Sequence, residues 1–144
     1  MPKIIVLYIL KQVTKTIFFT FLILFGILFL NESIQFLEKA SRGELYPSLL
    51  LLVLIYSLPT ILEVSIPISV FLGVLISIYN LNKSNEISFI YQLGMSQKDL
   101  TLVSLIPAFL CSIFIFFNSF YFVPQSSEKL SFLSEAQSFS DKFK

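Results

Sequence analysis

From Tyr46 to Val123 the chain is apolar with one interruption. That interruption, Tyr79 to Leu100, reads YNLNKSNEISFIYQLGMSQKDL and carries Lys83, Glu86, Lys98 and Asp99 as its charges. The apolar runs on both sides are long enough to cross a bilayer, whose hydrocarbon core of about 30 Å takes about 20 helical residues. The interval is therefore where the chain returns to water, and it has a pattern of its own. Ser84 is a candidate helix start, and Glu86 then falls in the first turn, where a negative charge suits the helix dipole. Ile87, Ile90, Tyr91 and Leu93 fall near one face at helical spacing. Gly94 is a C-terminal stop. Ser96 and Asp99 restart a helix as a capping box with Asp in place of Glu. The pattern predicts a short amphipathic helix over about 84–93, pinned between two membrane helices and offering an apolar face to something in the cytoplasm.

The remaining pattern predicts an all-α integral membrane protein with three transmembrane helices, at about 17–37, 48–79 and 102–123. Residues 1–123 then form the transmembrane domain and 124–144 a polar tail. Ahead of the first span, Ile4, Leu7, Leu10, Lys11 and Thr14 have a mild helical period, and Tyr8 and Lys11 suit the headgroup layer. The bulky run from Ile17 to Leu30 has no small-residue cleavage site after it, which argues against a signal peptide. The far end of the first span is polar on one side. Glu32 and Gln35 are three apart and share a face, which either lines a wet cavity or marks where the helix leaves the membrane.

Glu38 to Pro47 is a short loop with a turn at Gly43 and a proline that can open the next helix. A straight helix over residues 48–79 would be about 48 Å long, longer than the hydrocarbon core. Pro59 and Pro67 each remove a backbone donor, so bends are expected there and both are candidate hinges. Glu63 lies between them. A charge at that depth is costly, so it faces protein, water or a partner, stays protonated, or bonds the backbone freed by Pro67. The third span contains Pro107, Cys111 and Asn118, and its Phe109, Phe114, Phe116 and Phe117 suit a lipid-facing or packing surface. Pro124 is expected to end it. The tail, with scattered Phe132, Leu133 and Phe139, is too short to build a core of its own.

Composition agrees. Hydrophobic residues make up 56% and charged residues only 13%, about half the charged share of a soluble domain. The net charge of +1 supplies no basic field for nucleic acid. There is no histidine and only one cysteine, Cys111, so a metal site, an internal disulfide and a His-based catalytic triad all lack their parts. No cofactor is implied. Lys3, Lys11 and Lys15 precede the first span, and Lys83 and Lys98 flank the interrupting interval. Lys39 and Arg42 lie in the other loop, and Lys129, Lys142 and Lys144 in the tail. The near-membrane bias puts the N-terminus and the Tyr79–Leu100 interval in the cytoplasm and the tail outside.

The run Leu58-Pro59, then Pro67, then Phe71-Leu72-Gly73, followed by Asn85-Glu86-Ile87 and Gly94-Met95-Ser96, resembles the first membrane half of the LptF/LptG (YjgP/YjgQ) permeases. The opening IIVLYILKQVTKTI and the loop SRGELYP fit as well. The resemblance implies a membrane subunit of the lipopolysaccharide export ABC transporter of the bacterial inner membrane. It also implies a full fold of six membrane helices with a periplasmic β-jellyroll between helices three and four. This chain would hold the first three helices and the approach to the jellyroll, as a fragment or a half that needs its complement. The interval helix would be a coupling helix docking in a groove of a cytoplasmic LptB-like ATPase, through Glu86, Ile87, Ile90, Tyr91, Leu93 and Gly94. Helices one and two would line the lipid cavity, with Glu32, Gln35, Lys39 and Glu63 as candidates and Lys39 as the only base near the outer end of helix one. The other implied partners are a paralogous permease, lipopolysaccharide itself, and periplasmic LptC-like and LptA-like proteins.

Three functions compete on these residues. A transporter subunit needs an external energy source, because the chain has no GxxxxGK[ST] phosphate loop. A small membrane scaffold or assembly protein would lay its interval helix on the headgroups. An intramembrane enzyme needs paired reactive groups, and Glu63 has no His or Asp near it in sequence. The residues favour the transporter subunit.

Overall fold

In the computed structural model residues 3–143 are described; Met1, Pro2 and Lys144, the outermost residues of the expected transmembrane domain and tail, lie outside them. The described chain is helical. It comprises α1 (Lys3–Ser41), a 3-10 turn (Pro47–Leu49), α2 (Leu50–Lys83), α3 (Glu86–Gln92), α4 (Gln97–Phe117), a π turn (Asn118–Phe122) and α5 (Val123–Lys142). Three helical stretches, Lys3–Ser41, Pro47–Lys83 and Gln97–Ser140, are long and apolar enough to cross a membrane.

The helices run past the apolar spans because little in the sequence stops them. Nothing between Lys3 and Ser41 is proline, and the amino-terminal lysines are exposed on an unbroken helix. α2 passes through Pro59 and Pro67 without interruption. Pro124 does not end the third long stretch. It falls at the first turn of α5, directly after the π turn, and there a missing N–H costs no intrahelical bond. The tail to Lys142 is accordingly helical.

Two helices stop in the same way. Gly43 and Gly94 have φ of +78° and +90°, a conformation that glycine adopts without strain. After α1, Gly43 N–H bonds Ala40 O at 3.1 Å and Glu44 N–H bonds Lys39 O at 2.9 Å. After α3, Gly94 N–H bonds Tyr91 O at 3.0 Å and Met95 N–H bonds Ile90 O at 3.4 Å. Both are Schellman closures, which satisfy carbonyls the helix leaves open. α4 begins with the expected reciprocal cap: Ser96 N–H donates to Asp99 Oδ2 at 3.1 Å and Asp99 N–H to Ser96 Oγ at 3.2 Å.

By contact the chain divides into two units, residues 1–24 with 65–114, and residues 25–64 with 115–144. In the first, Ile9, Val13 and Ile17 recur every fourth residue on α1 and are buried together with Ile90, Met95, Leu100 and Val103. On α2 small residues recur with the same spacing: Ser65, Ser69, Gly73 and Ser77. The three serines are buried. A Cβ added to Gly73 would lie 2.6 Å from Ile17 Cα, so the two backbones meet where only glycine fits. Lipid offers helices no hydrophobic drive to associate, and close backbone approach over small residues is the usual substitute. Ser69 and Ser104 satisfy their hydroxyls on carbonyls of their own helices, Ser65 O and Leu100 O.

In the second unit several links between elements are polar. Asn118 Nδ2 donates to Pro59 O at 2.9 Å, and Ser119 Oγ donates to Glu63 Oε1 at 2.8 Å. Tyr46 Oη and Ser140 Oγ share a hydrogen bond of 3.2 Å. The Lys129 ammonium sits 5.2 Å from the Tyr56 ring centroid, within cation–π range.

Candidate functional site

The corner between α2 and α3 turns on Asn85, the one described non-glycine residue with positive φ, at +58°. Asparagine is among the few side chains that tolerate that region. Asn85 occupies the cap position of α3 and makes no side-chain cap bond. Ser84, the expected cap, instead turns its hydroxyl back to Asn80 O and Leu81 O, at 3.0 and 3.3 Å. The interval helix therefore runs Glu86–Gln92 rather than from Ser84. It is held at one end by the Asn85 corner and at the other by the Gly94 closure and the Ser96–Asp99 cap.

The direction in which α3 faces departs from the sequence reading. Ile90 is only 3% exposed, and Ile87 and Tyr91 pack against the same aliphatic cluster. The sequence pattern offers these three side chains to a partner. They anchor α3 to its own unit instead, because Ile9, Val13 and Leu100 already offer an apolar surface at that place. The apolar side chains left outward are Phe89, 62% exposed, and Leu93, 48% exposed. Gly94 supplies the turn rather than a surface.

Glu86 is half-buried and is met by a group from far along the chain. Tyr8 Oη donates to Glu86 Oε2 at 2.7 Å, across 78 residues of sequence. That bond, and then the loss of some hydration, raise the Tyr8 phenol above its ordinary range, because deprotonation would set two anions side by side. Tyr8 lies in the opening turns of α1, ahead of the apolar run from Ile17.

Of the candidates for a lipid cavity, Lys39 and Glu63 have defined surroundings. Lys39 is exposed, with its ammonium 5.3 Å from the Phe36 ring centroid. It lines a cleft of about 510 Å³ whose wall also includes Glu44, Val53, Leu133 and Gln137. Glu32 and Gln35 do not line that cleft. Glu63 bonds the Ser119 hydroxyl, beside the Asn118–Pro59 bond, rather than the backbone freed by Pro67. Among the described residues, no three His, Cys, Asp or Glu side chains gather where a metal ion could sit.

A family model described as "Lipopolysaccharide export system permease LptF/LptG" matches residues 7–138. The chain belongs to the LptF/LptG family. Curated relatives agree. The lipopolysaccharide export system permease protein LptF of Escherichia coli K12 is 27% identical over 124 residues, which is 86% of this chain and 34% of the relative. LptF of Escherichia coli O157:H7 and of Shigella flexneri match to the same extent. The chain thus spans about a third of the length of these permeases.

In this LptF/LptG chain four residues of the sites above escaped the sequence reading. The sequence pattern suits Tyr8 to the headgroup layer and gives Phe89 no role. It marks Asn118 only as a residue of the third span, and Ser119 not at all. Helical period could have flagged Phe89, which lies on the same face as Leu93. Nothing local could pair Tyr8 with Glu86 or Ser119 with Glu63, since each pair joins helices more than 50 residues apart in sequence.

Proposed function

We propose that this chain is the amino-terminal membrane part of a permease subunit of a lipopolysaccharide exporter of the bacterial inner membrane. In this reading the N-terminus and α3 are cytoplasmic, and a separate LptB-like ATPase supplies the energy. Family membership and the absence of any phosphate loop in the sequence support it. The observation that carries the mechanism is the geometry of α3. A seven-residue helix is fastened at both ends and by its inner face to an aliphatic core, while Phe89 and Leu93 are exposed and Glu86 lies half-buried beside Tyr8. Such a helix transmits force. A push on Phe89 and Leu93 reaches α1 and α4 through Ile90, since packed interiors shift rather than compress. Glu86 would fix register by pairing with a basic group of the ATPase, and the apolar pair would supply the contact area. α2 would carry the movement toward the lipid, with Pro59 and Pro67 as its hinges. Lys39, Glu63, Glu32 and Gln35 would lie along the lipid path, and residues 124–142 would lead toward a periplasmic domain.

The test replaces Glu86 with Lys and measures co-purification of the ATPase with the permease from detergent-solubilised membranes. Loss of the ATPase is expected. Undiminished co-purification would show that Glu86 has no part in docking.

A further inference from the structure

We infer that Tyr8 is a positioning residue for the Glu86 carboxylate, holding it in the orientation in which α3 receives a cationic group of the motor protein; this rests on the docking role proposed for Glu86. The bond itself is 2.7 Å long, in the range of charge-assisted contacts between a hydroxyl and a carboxylate. Both partners are held in place by their immediate neighbours. Ile9, next to Tyr8, is fully buried, and Ile87, next to Glu86, packs against the same cluster. The two side chains are therefore presented to each other by one rigid core, and forming the bond orders little that was free.

The chemistry leaves the carboxylate usable. Its two oxygens offer about four lone-pair sites, and the Tyr8 hydroxyl takes one of them, on Oε2. No other hydrogen bond or ion pair to Glu86 is present among the described residues. Oε1 and the rest of Oε2 remain open to an ammonium or guanidinium. A carboxylate on an unrestrained glutamate would sample several rotamers and lose that freedom on docking. Tyr8 removes the cost beforehand. It also makes the opening turns of α1 part of the docking site, because the side chain that aligns the carboxylate comes from there and remains 47% exposed.

The experiment is a double-mutant cycle. The permease, in lipid nanodiscs, is titrated with its purified ATPase as wild type, Tyr8→Phe, Glu86→Ala and the double variant. Tyr8→Phe removes one hydroxyl and should weaken binding roughly fivefold, the scale of one hydrogen bond to a charged acceptor at a partly exposed site. In the Glu86→Ala background the same change should alter binding by less than about twofold, since there is no carboxylate left to orient. An equal loss in both backgrounds would overturn the proposal, because Tyr8 would then act on its own account. A loss for Glu86→Ala with none for Tyr8→Phe would overturn the positioning role and leave the docking role standing. No loss for Glu86→Ala would remove the docking role and the positioning role with it.

Discussion

The two units of this chain are held together by different chemistry. Residues 1–24 and 65–114 share a contiguous aliphatic cluster and a place on α2 where a glycine backbone touches Ile17. Residues 25–64 and 115–144 have scattered buried apolar side chains, Phe36, Val53 and Ile61, together with individual polar links. Among these are Asn118 to Pro59, Ser119 to Glu63, Tyr46 to Ser140 and Lys129 to Tyr56. An aliphatic core is non-directional and resists deformation as a whole. A few hydrogen bonds each fix one geometry and can be exchanged for others at little net cost. The packing of the first unit suits the push proposed for α3. In the second unit, which carries Lys39 and Glu63, a π turn of the kind often found at functional sites supplies two of the polar links named here.

Substitutions in the two units should therefore differ in size. Ile90→Ala removes the side chain that pins α3 to the cluster and should cost about 3 kcal/mol, the usual range for truncating a buried isoleucine. The measurement is reversible unfolding in mixed micelles with increasing SDS. Gly73→Ala forces a methyl group against the Ile17 backbone and should cost about 2 kcal/mol, read in the same assay. In the second unit Asn118→Leu removes one interhelical hydrogen bond and should cost about 1 kcal/mol. Lys129→Ala gives up an exposed cation–π contact and should cost about 0.5 kcal/mol. If Asn118→Leu destabilised the chain as much as Ile90→Ala, the contrast between the units would dissolve.

The helical class and the existence of α3 were legible in the sequence because their signals are local. Gly94 needs positive φ, Ser96 and Asp99 cap each other three residues apart, and the apolar runs are long. Where the helices end was less legible. Pro124 reads as a stop, and only a π turn just before it lets the helix resume. The facing of α3 was not legible, because Ile87, Ile90 and Tyr91 on one side and Phe89 and Leu93 on the other are equally apolar. Which side turns inward depends on Ile9, Val13 and Leu100, which are remote in sequence. The same holds for Glu86, whose partner is 78 residues away, and for Glu63, whose partner is 56 away.

Adjacent positions on α3 give the most direct test. A photo-crosslinking amino acid is placed at Phe89 in one variant and at Ile90 in another, in membranes that also contain the ATPase. From position 89 the account requires an adduct with the ATPase, and from position 90 a cross-link within the permease itself, to α1 or α4. An ATPase adduct from position 90, or only lipid adducts from position 89, would contradict it.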